Sequence, residues 1–531
     1  MFWVDEMVDE IIAKYPDKEE FIIRDEKTPS GRVHIGSLRG VVIHGVIAQA
    51  LNERGKKARF IYEFNDSDPM DGLPIYLDEE KYRPYMGKPL KDVPSPHEEL
   101  GGEPADNYAV YFAREFLKVI NDLGFQPEII YSSDLYKAGH YDEWIKKILE
   151  KKDTVRQIYR EVSGSEKPED WYPLQVVCEK CGKTGTTKVT GWDGTNVTYE
   201  CMPNMVEWGV GCGHKGSCTP FGGQGKLPWK VEWPTKWASM NVDIEGAGKD
   251  HAAAGGSHDI AERVCAEVLG THVPFNIPYE FFLFGGAKMS SSKGKGASVV
   301  EVSELIPGEL MRFLMIRKKP NQPIDFNPDG PTIPVLFDQY DETASYYFEK
   351  KGEFPDLERA FHFSQVSGGA EAVEKHYYPR FTRIAFFEQI PHVDLYEEVA
   401  KLKTAELTDA DRAEVDLRKH YASLWLKDFA PDAYRFTVQE TVPAGALTLS
   451  AGQKKFLGDI AAVLAEKDWT GDELHGKIHE LKEASGMPPK EAFGALYMAL
   501  LGKESGPQAG WFLEALDKEF LIKRFGEIAK S

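Results

Sequence analysis

Short apolar runs and helical patterns alternate along the first quarter of the chain. Phe21-Ile22-Ile23 is a strand-like run, and the apolar residues from Leu38 to Leu51 recur at helical spacing. Arg59 to Phe64 predicts a second strand. A helix over about 106–123 and a strand over 127–131 continue the alternation. This β-α-β order predicts a parallel sheet with helices on its faces.

The alternation stops and then returns. Residues 145–232 contain cysteine, glycine and tryptophan without a clear period, which predicts an inserted module. A helix over Ala261–Leu269 and a single strand over Tyr279–Phe284 resume the pattern. Later, long helical patterns dominate, such as Glu491–Leu501 and Trp511–Phe525. The predicted fold class is α/β, a Rossmann-type doubly wound parallel sheet with an insertion and an α-helical C-terminal region.

Composition and charge restrict the partners. The 531 residues carry a formal charge of −21, which argues against nonspecific coating of DNA or RNA, although a specific RNA site needs only one favourable face. Acidic residues follow Met1 where a signal peptide would carry basic ones, and no apolar run approaches the roughly 18 residues of a membrane span. We expect a cytoplasmic protein with no membrane or DNA partner.

A first candidate motif lies where a predicted strand leads into a helix. Pro29 to Ser37 contains Gly31, His34 and Gly36. Free N–H groups and the helix dipole attract phosphate at such a junction, and the glycines permit close approach. His34 can donate a hydrogen bond as negative charge builds. A tight turn with an incidental histidine would have the same pattern.

A second candidate motif, Gly286 to Gly294, follows the late strand. Lys288 and Lys293 are separated by hydroxyl residues and flanked by glycines. This composition suits a clamp on a triphosphate. Taken alone, it is also typical of a solvated basic loop.

Five of the six cysteines lie between Cys178 and Cys218. A close pair followed by further cysteines is typical of tetrahedral structural zinc. The alternative is a set of reduced buried thiols. The predicted ligands are Cys178, Cys181, Cys201 and Cys212, with His214 or Cys218 as substitutes.

The two motifs together resemble the signatures of class I aminoacyl-tRNA synthetases. His34-Ile35-Gly36-Ser37 resembles the first and Lys288 to Ser292 the second. Two positions depart from the family pattern: Ser37 replaces the usual His or Asn, and Ser291 replaces a usual lysine whose charge Lys293 could supply.

Within class I, the chain is similar to the class I lysyl-tRNA synthetases over most of its length. Gly248 to Ser257 resembles their segment that meets the ATP ribose, although Asp250 would also suit a helix N-cap. The similarity extends through 64–69, 232–234, 337–341 and 502–507.

This resemblance implies an ATP site assisted by Mg²⁺. His34, Lys288 and Lys293 would be catalytic. The implied ATP-binding residues are Ser30, Gly31, Gly36, Ser37, Gly248, Asp250, His251, Met289, Ser290 and Ser292.

Selection of lysine requires a carboxylate for the ε-ammonium and apolar walls for the methylenes, because a buried unpaired ammonium is costly. Tyr279 and Glu280 are the first candidates, with Trp237 as a wall and Thr28 nearby. The family often has a glycine-containing strand end before Thr28, whereas this chain has Arg24 to Lys27. Asp25 or Glu26 could therefore hold the ammonium instead.

The resemblance also implies a domain order. It runs from the first half of the Rossmann domain (1–144) to the zinc-containing acceptor-stem insertion (145–232), the second half with the second signature loop (233–296), a stem-contact connector (297–345) and an α-helical anticodon-binding region (346–531).

The implied activity is ATP-dependent ligation of L-lysine to tRNA(Lys) by a monomer. Two alternatives stay open. One is a class I synthetase for another amino acid such as glutamate, and the other is a noncatalytic RNA-binding relative.

Overall fold

The computed structural model describes residues 1–286, 298–350, 354–367 and 369–531. These residues form two compact units. The first comprises 1–326 and 343–372, and the second comprises 327–342 and 373–531.

The strands belong to the first unit. They are β1 (Glu20–Lys27), β2 (Lys57–Phe64), β3 (Glu128–Tyr131), β4 (Gln175–Val176), β5 (Thr187–Trp192), β6 (Val197–Cys201), β7 (Lys215–Cys218), β8 (Gly225–Lys226), β9 (Ile244–Gly248), β10 (Phe275–Tyr279), β11 (Phe282–Phe284) and β12 (Ile324–Phe326).

The central sheet has five strands in the order β10-β9-β1-β2-β3. All neighbouring pairs are parallel. The chain winds from β1 toward β3 on one side and later adds β9 and β10 on the other. A topological switch point therefore lies between β1 and β9, and α/β sheets bind ligands at the carboxyl edge of such a point.

The helices of the first unit include α2 (Leu38–Glu53), which packs against β1, β2 and β9 of this sheet. They are α1 (Trp3–Lys14), α2 (Leu38–Glu53), α3 (Glu79–Tyr82), α4 (His97–Leu100), α5 (Tyr108–Asp122), α6 (Ser132–Lys137), α7 (Asp142–Glu150), α8 (Lys152–Ser163), α9 (Trp229–Met240), α10 (Lys249–Ala252), α11 (Ser257–Arg263), α12 (Val299–Ser303) and α13 (Gly308–Ile316). Helix α14 (Thr332–Glu349) has residues in both units, and α15 (Pro355–Ser364) belongs to the first.

Helix α2 is buried over nearly its whole length, which explains its apolar character on every side. Its predicted span, Leu38 to Leu51, is confirmed. The predicted parallel sheet and the helical C-terminal region are confirmed as well.

Strands β4 to β8, residues 175–226, form two small antiparallel sheets that hold five cysteines; we call this segment the cysteine module. Its short strands explain why the sequence there has no single period.

The single strand predicted over Tyr279–Phe284 is wrong. Strand β10 ends at Tyr279, the backbone N–H of Glu280 donates to the Pro320 carbonyl 2.9 Å away, and β11 pairs with β12 in a separate sheet. An aromatic run has the same pattern in one strand or two, and its tertiary partners decide between them.

The second unit is helical over its described residues. Its helices are α16 (Phe381–Phe387), α17 (Leu395–Lys403), α18 (Asp409–Asp428), α19 (Ala444–Leu447), α20 (Ala451–Leu464), α21 (Gly471–Ser485), α22 (Pro489–Leu501), α23 (Ala509–Glu514) and α24 (Lys518–Ala529).

The predicted helix over Trp511–Phe525 is two helices. Helix α23 ends at Glu514, and Asp517 caps α24 by accepting from the Phe520 N–H at 2.6 Å. A capping aspartate favours a new helix start over a continuous helix. In the part of the chain that the structure describes, none of the helices has both the length and the apolar character needed to cross a bilayer.

Candidate active site

The carboxyl edge of the central sheet gathers the predicted binding residues. Thr28 follows β1, Lys249 and Asp250 follow β9, and Glu280 follows β10. Because these strands are parallel neighbours, the residues that follow them lie along one edge of the sheet. Thr28 and Asp250 thus flank the switch point.

The first signature segment forms the entry to α2. His34 is extended, Ile35–Ser37 is a short 3₁₀ turn, and α2 begins at Leu38. No side chain caps the start of either helical segment. The Ser37 N–H donates to the His34 carbonyl at 3.0 Å, and the Leu38 N–H donates to the Ile35 carbonyl. The N–H groups of Ile35 and Gly36 are therefore the ones placed at the positive end of the helix dipole, where an anion is stabilised.

The second signature segment lies outside the described residues, which stop at Gly286 and resume at Ser298. Lys288, Met289, Ser290, Ser292 and Lys293 all fall in this interval.

Elements on either side of that interval lie beside the first signature. Ser298 forms an antiparallel bridge with His34, and the Val299 N–H donates to the Val33 carbonyl at 2.8 Å. On the other side, a Cβ placed on Gly36 would lie 3.5 Å from the Phe282 carbonyl oxygen of β11. Ser298 thus lies beside His34, and β11 lies beside Gly36.

Asp25 and Tyr279 converge on one glycine. A Cβ on Gly40 would lie 2.6 Å from Asp25 Oδ2 and 2.9 Å from the Tyr279 hydroxyl oxygen, so a side chain here requires one of these groups to move. His44 Nδ1 lies 3.5 Å from Asp25 Oδ2. Burial and the nearby Asp25 carboxylate hold the pKa of Tyr279 well above its usual value, so this phenol is a neutral donor.

Gly40→Ala should destabilise the protein by ~1–3 kcal/mol, because the new methyl group forces Asp25 and Tyr279 apart in a closely packed interior. Denaturant unfolding would measure the loss. Gly476→Ala in α21 is the matched control, since its methyl would meet nothing within 4 Å and should be neutral or stabilising. Equal responses of the two variants would contradict the close convergence at Gly40.

Glu280 contacts the segment Gly248 to Ser257, which resembles the part of the family that meets the ATP ribose. Lys249 Nζ contacts Glu280 Oε1 at 2.7 Å. Gly248 is the N-cap residue of α10, so the alternative assignment of Asp250 as the N-cap is wrong. Asp250 is exposed, and the His251 ring lies 5.8 Å from those of Trp229 and Trp233.

Trp237 lies in the interior. Its indole Nε1 donates to Glu245 Oε2 at 2.8 Å, and Trp233 Nε1 donates to the other oxygen of the same carboxylate at 2.8 Å. The two indoles therefore fix the Glu245 carboxylate in β9.

A buried ion network lies behind the carboxyl edge of the sheet. Arg24 in β1 is fully buried and binds Glu63 and Glu245, with Nη1 2.8 Å from Glu245 Oε1. Lys236 Nζ lies 2.7 Å from Glu26 and 2.9 Å from Glu63. The network consists of Arg24, Lys226, Lys236, Glu26, Glu63, Asp68, Glu232 and Glu245.

The network has five carboxylates and three cations, which leaves two carboxylates in excess. Burial raises the pKa of Glu26 to about 7 despite the attraction of Arg24 and Lys236. Burial also opposes ionisation of Glu232, but Lys226 and Lys236 overcome it and lower the pKa to about 2. A buried region with an excess of carboxylates stabilises an added cation.

Asp68 is the most exposed member of the network, with 23% of its side-chain surface accessible. Its Oδ2 accepts a hydrogen bond from Thr28 Oγ1 at 2.6 Å. The negative network therefore meets the carboxyl edge at Thr28. Thr28 was identified from the sequence, but this network was missed. The signal available for it was a charged residue, Glu63, inside a predicted strand.

Four cysteines of the cysteine module converge. The Sγ atoms of Cys178 and Cys212 are 3.7 Å apart, as are those of Cys181 and Cys201, and all four lie within 4.8 Å of one another. A zinc–sulfur bond of about 2.3 Å in tetrahedral geometry requires sulfur separations of about 3.8 Å. The four thiols therefore fit a zinc ion.

His214 and Cys218, the substitute ligands, do not belong to this cluster. His214 Nε2 instead contacts Glu179 Oε1 at 2.7 Å.

The Cys212 N–H and the Thr186 hydroxyl lie 3.3 and 3.2 Å from Cys201 Sγ, as groups surrounding a thiolate ligand do.

A parallel α/β sheet followed in the chain by a helical unit is the organisation of a class I tRNA synthetase. The model of the family described as tRNA synthetases class I (K) matches residues 1–367, and that of an anticodon binding domain matches residues 389–529. The chain belongs to the family of class I (K) tRNA synthetases.

Relatives match the chain over nearly its full length. A lysine–tRNA ligase of Methanosarcina barkeri is 34% identical and covers 99% of this chain and 97% of its own. One from Archaeoglobus fulgidus is 33% identical, covering 99% of both chains, and one from Pyrococcus horikoshii is 31% identical, covering 98% of both. Among solved structures, a glutamate tRNA ligase from Elizabethkingia meningosepticum has a TM-score of 0.44 at 12% identity, covering 96% of this chain and 99% of that one.

Proposed function

We propose that the protein joins L-lysine to tRNA(Lys) at the expense of ATP, and that it works in the cytoplasm as a monomer. The observation that carries this proposal is the match, along nearly the whole chain, to relatives named lysine–tRNA ligase. The carboxyl edge of the sheet supports it, since the helix start proposed to bind phosphate follows β1 there, and the network with excess negative charge reaches Thr28 at the same edge.

In the first step, the carboxylate of lysine attacks the α-phosphorus of ATP. A carboxylate oxygen–phosphorus bond forms, the bond to the bridging oxygen breaks, and pyrophosphate leaves. No protein nucleophile is required, because positioning and charge stabilisation suffice. In the second step, the 2′-hydroxyl of the terminal tRNA adenosine displaces AMP from the lysyl carbonyl.

His34 and Lys288 stabilise the negative charge that develops on the phosphates, and Lys293 adds to it. The support for this role of His34 is its position at the uncapped entry to α2. Mg²⁺ would accompany the triphosphate and neutralise part of its charge. The remaining ATP contacts come from Ser30, Gly31, Gly36, Ser37, Gly248, Asp250, His251, Met289, Ser290 and Ser292.

The amino-acid site lies between Thr28 and Tyr279. For the ε-ammonium we favour Asp25 over Glu280. Asp25 is buried, and its Oδ2 and the Tyr279 hydroxyl both lie close to Gly40. His44 Nδ1 lies 3.5 Å from Asp25 Oδ2, whereas Glu280 is more exposed and is paired with Lys249 at the shorter distance of 2.7 Å. Glu26 is already engaged by Arg24 and Lys236. Trp237 shapes the site indirectly, through its hold on Glu245.

Asp25→Asn should raise the KM for lysine about 30-fold, which corresponds to ~2 kcal/mol, because it removes the charge partner of the ammonium. Glu280→Gln is the matched variant and should change that KM by less than about threefold. Lysine titrations of pyrophosphate exchange would measure both. If the KM for lysine rose more in Glu280→Gln than in Asp25→Asn, the ammonium would be assigned to Glu280.

We propose a structural zinc ion held by Cys178, Cys181, Cys201 and Cys212. The metal would stabilise the fold of the cysteine module and take no part in the chemical step. The module would contact the acceptor stem of the tRNA, and the helical second unit would bind the anticodon.

Cys181→Ser should release zinc and lower the melting temperature, because three ligands hold the ion far less tightly than four. Metal analysis and calorimetry of the purified protein would measure this. Cys218→Ser, in the same module but outside the cluster, should keep one zinc per chain. Loss of zinc in Cys218→Ser with retention in Cys181→Ser would overturn the ligand set.

Pyrophosphate exchange and aminoacylation, with each amino acid and with tRNA omitted or added, test the proposed function. We expect product with lysine only, and exchange only when tRNA is present, as the resemblance implies. Activity with glutamate but not with lysine would assign the enzyme to another amino acid. Binding of tRNA without any aminoacylation would identify a noncatalytic relative.

A further inference from the structure

A lysine of the cysteine module enters the ion network. Lys226 lies in β8 and its side chain is buried. Its Nζ lies 2.8 Å from Asp68 Oδ1 and 2.7 Å from Glu232 Oε1. One ammonium thus bridges a carboxylate at the exposed end of the network and one in its interior.

Asp68 connects this ammonium to the predicted amino-acid site. One oxygen of its carboxylate receives Lys226, and the other accepts the Thr28 hydroxyl at 2.6 Å. The orientation of Thr28 therefore depends on that of Asp68, which in turn depends on Lys226.

A second connection runs through the backbone. The Thr184 N–H of the cysteine module donates to the Gly87 carbonyl at 2.7 Å. Gly87 donates to the Met70 carbonyl at 2.8 Å, and the Leu90 N–H donates to the Asp68 carbonyl at 3.0 Å. The module is thus tied to the backbone of Asp68 as well as to its side chain.

We propose that Lys226 is a positioning residue for the amino-acid site, through which the cysteine module holds Asp68 and Thr28 in the arrangement that binds the substrate. This inference rests on the proposed function. Without the ammonium, the carboxylates of Asp68 and Glu232 repel each other in a region of low dielectric. Asp68 then turns toward solvent, and Thr28 loses its partner.

Lys226→Met tests the proposal in the full-length protein with tRNA present. The KM for lysine in pyrophosphate exchange should rise about tenfold, a typical effect of removing a group that orients a binding residue. The KM for ATP, and kcat at saturating lysine, should stay within about twofold. Zinc content should be unchanged, which shows that the module is folded.

Three further variants sharpen the test. Lys226→Arg keeps a cation and should restore part of the lysine affinity. Lys215→Met, at an exposed position of β7, is the matched control and should match the unmodified protein. In the double variant Thr28→Val with Lys226→Met, the KM should exceed that of Thr28→Val by less than twofold, because both changes break one chain of contacts.

A KM for lysine that is unchanged or lowered in Lys226→Met would overturn the proposal, even if the melting temperature falls. Full additivity in the double variant would also overturn it. These outcomes are distinct from failure of the proposed function, in which the unmodified protein itself would show no lysine-dependent exchange.

Discussion

Replacing His34 with alanine should slow formation of lysyl-adenylate about 10²–10³-fold, equivalent to ~3–4 kcal/mol of barrier. The imidazole lies at the uncapped entry to α2, where it can donate to a phosphate oxygen as charge builds in the transition state. Because this interaction strengthens mainly in the transition state, kcat should fall far more than affinity for ATP. Single-turnover adenylate formation would measure the effect.

Binding of tRNA provides the control for His34→Ala. The affinity for tRNA should stay within about twofold, since His34 would act on phosphates of ATP alone. His97→Ala, a partly buried histidine in α4, should leave adenylate formation unchanged. A His34→Ala variant that loses tRNA affinity and adenylate formation equally would show that the residue supports the fold and not the reaction.

Replacing Arg24 with methionine should lower the free energy of unfolding by ~3–5 kcal/mol, the largest stability loss expected of a single substitution in this network. The guanidinium is fully buried and neutralises Glu63 and Glu245, so its removal leaves buried carboxylates without a partner. Burial opposes the charge of Arg24, but the surrounding carboxylates raise its pKa well above the usual value. Calorimetry or denaturant unfolding would measure the loss.

A second substitution tests the cause of that loss. Adding Glu63→Gln to Arg24→Met removes one buried carboxylate that has lost its cationic partner, and should recover part of the stability. Lys118→Met breaks an exposed pair with Asp122 on α5 and should have little effect. If Arg24→Met were as mild as Lys118→Met, the network would not be the buried, interdependent cluster that the contacts indicate.

The sheet and its helices were predictable because their periodicity is strong. The run from Leu38 to Leu51 and the flanking strands could form only a β-α-β unit of the parallel kind. The division after Tyr279 was not predictable, because it depends on a partner strand, β12, that lies far along the chain. The break before Lys518 depends on a single capping aspartate, Asp517, whose signal is weak beside a helical pattern.

The candidate site was predictable only in part. Thr28, His34 and Gly248 could be placed at the carboxyl edge, because motifs at strand ends must lie there in a parallel sheet. The pairing of Arg24 with Glu63 and Glu245 could not, because a charged residue in a strand ordinarily indicates an exposed face. Here β1 is a central strand covered on both faces, so its charges are buried and must find partners in neighbouring strands.

The cysteine cluster shows the opposite case. Four thiols, the first and last of which are 34 positions apart in the chain, converge within 4.8 Å, as their spacing predicts for a zinc site. Thiols that bind one metal ion must lie close together in space, so a cysteine motif predicts contacts more strictly than a strand pattern does. Lys226, which lies in the same module, carries no such motif, and its link to Asp68 is visible only in three dimensions.

We propose that two segments far apart in the chain act on one ATP molecule. A crystal structure of the protein with ATP and lysine would show whether they do. We expect His34 and Lys288 within hydrogen-bonding distance of the phosphates of the same nucleotide, above the switch point between β1 and β9. ATP bound elsewhere, or His34 and Lys288 on separate surfaces with no nucleotide between them, would contradict it.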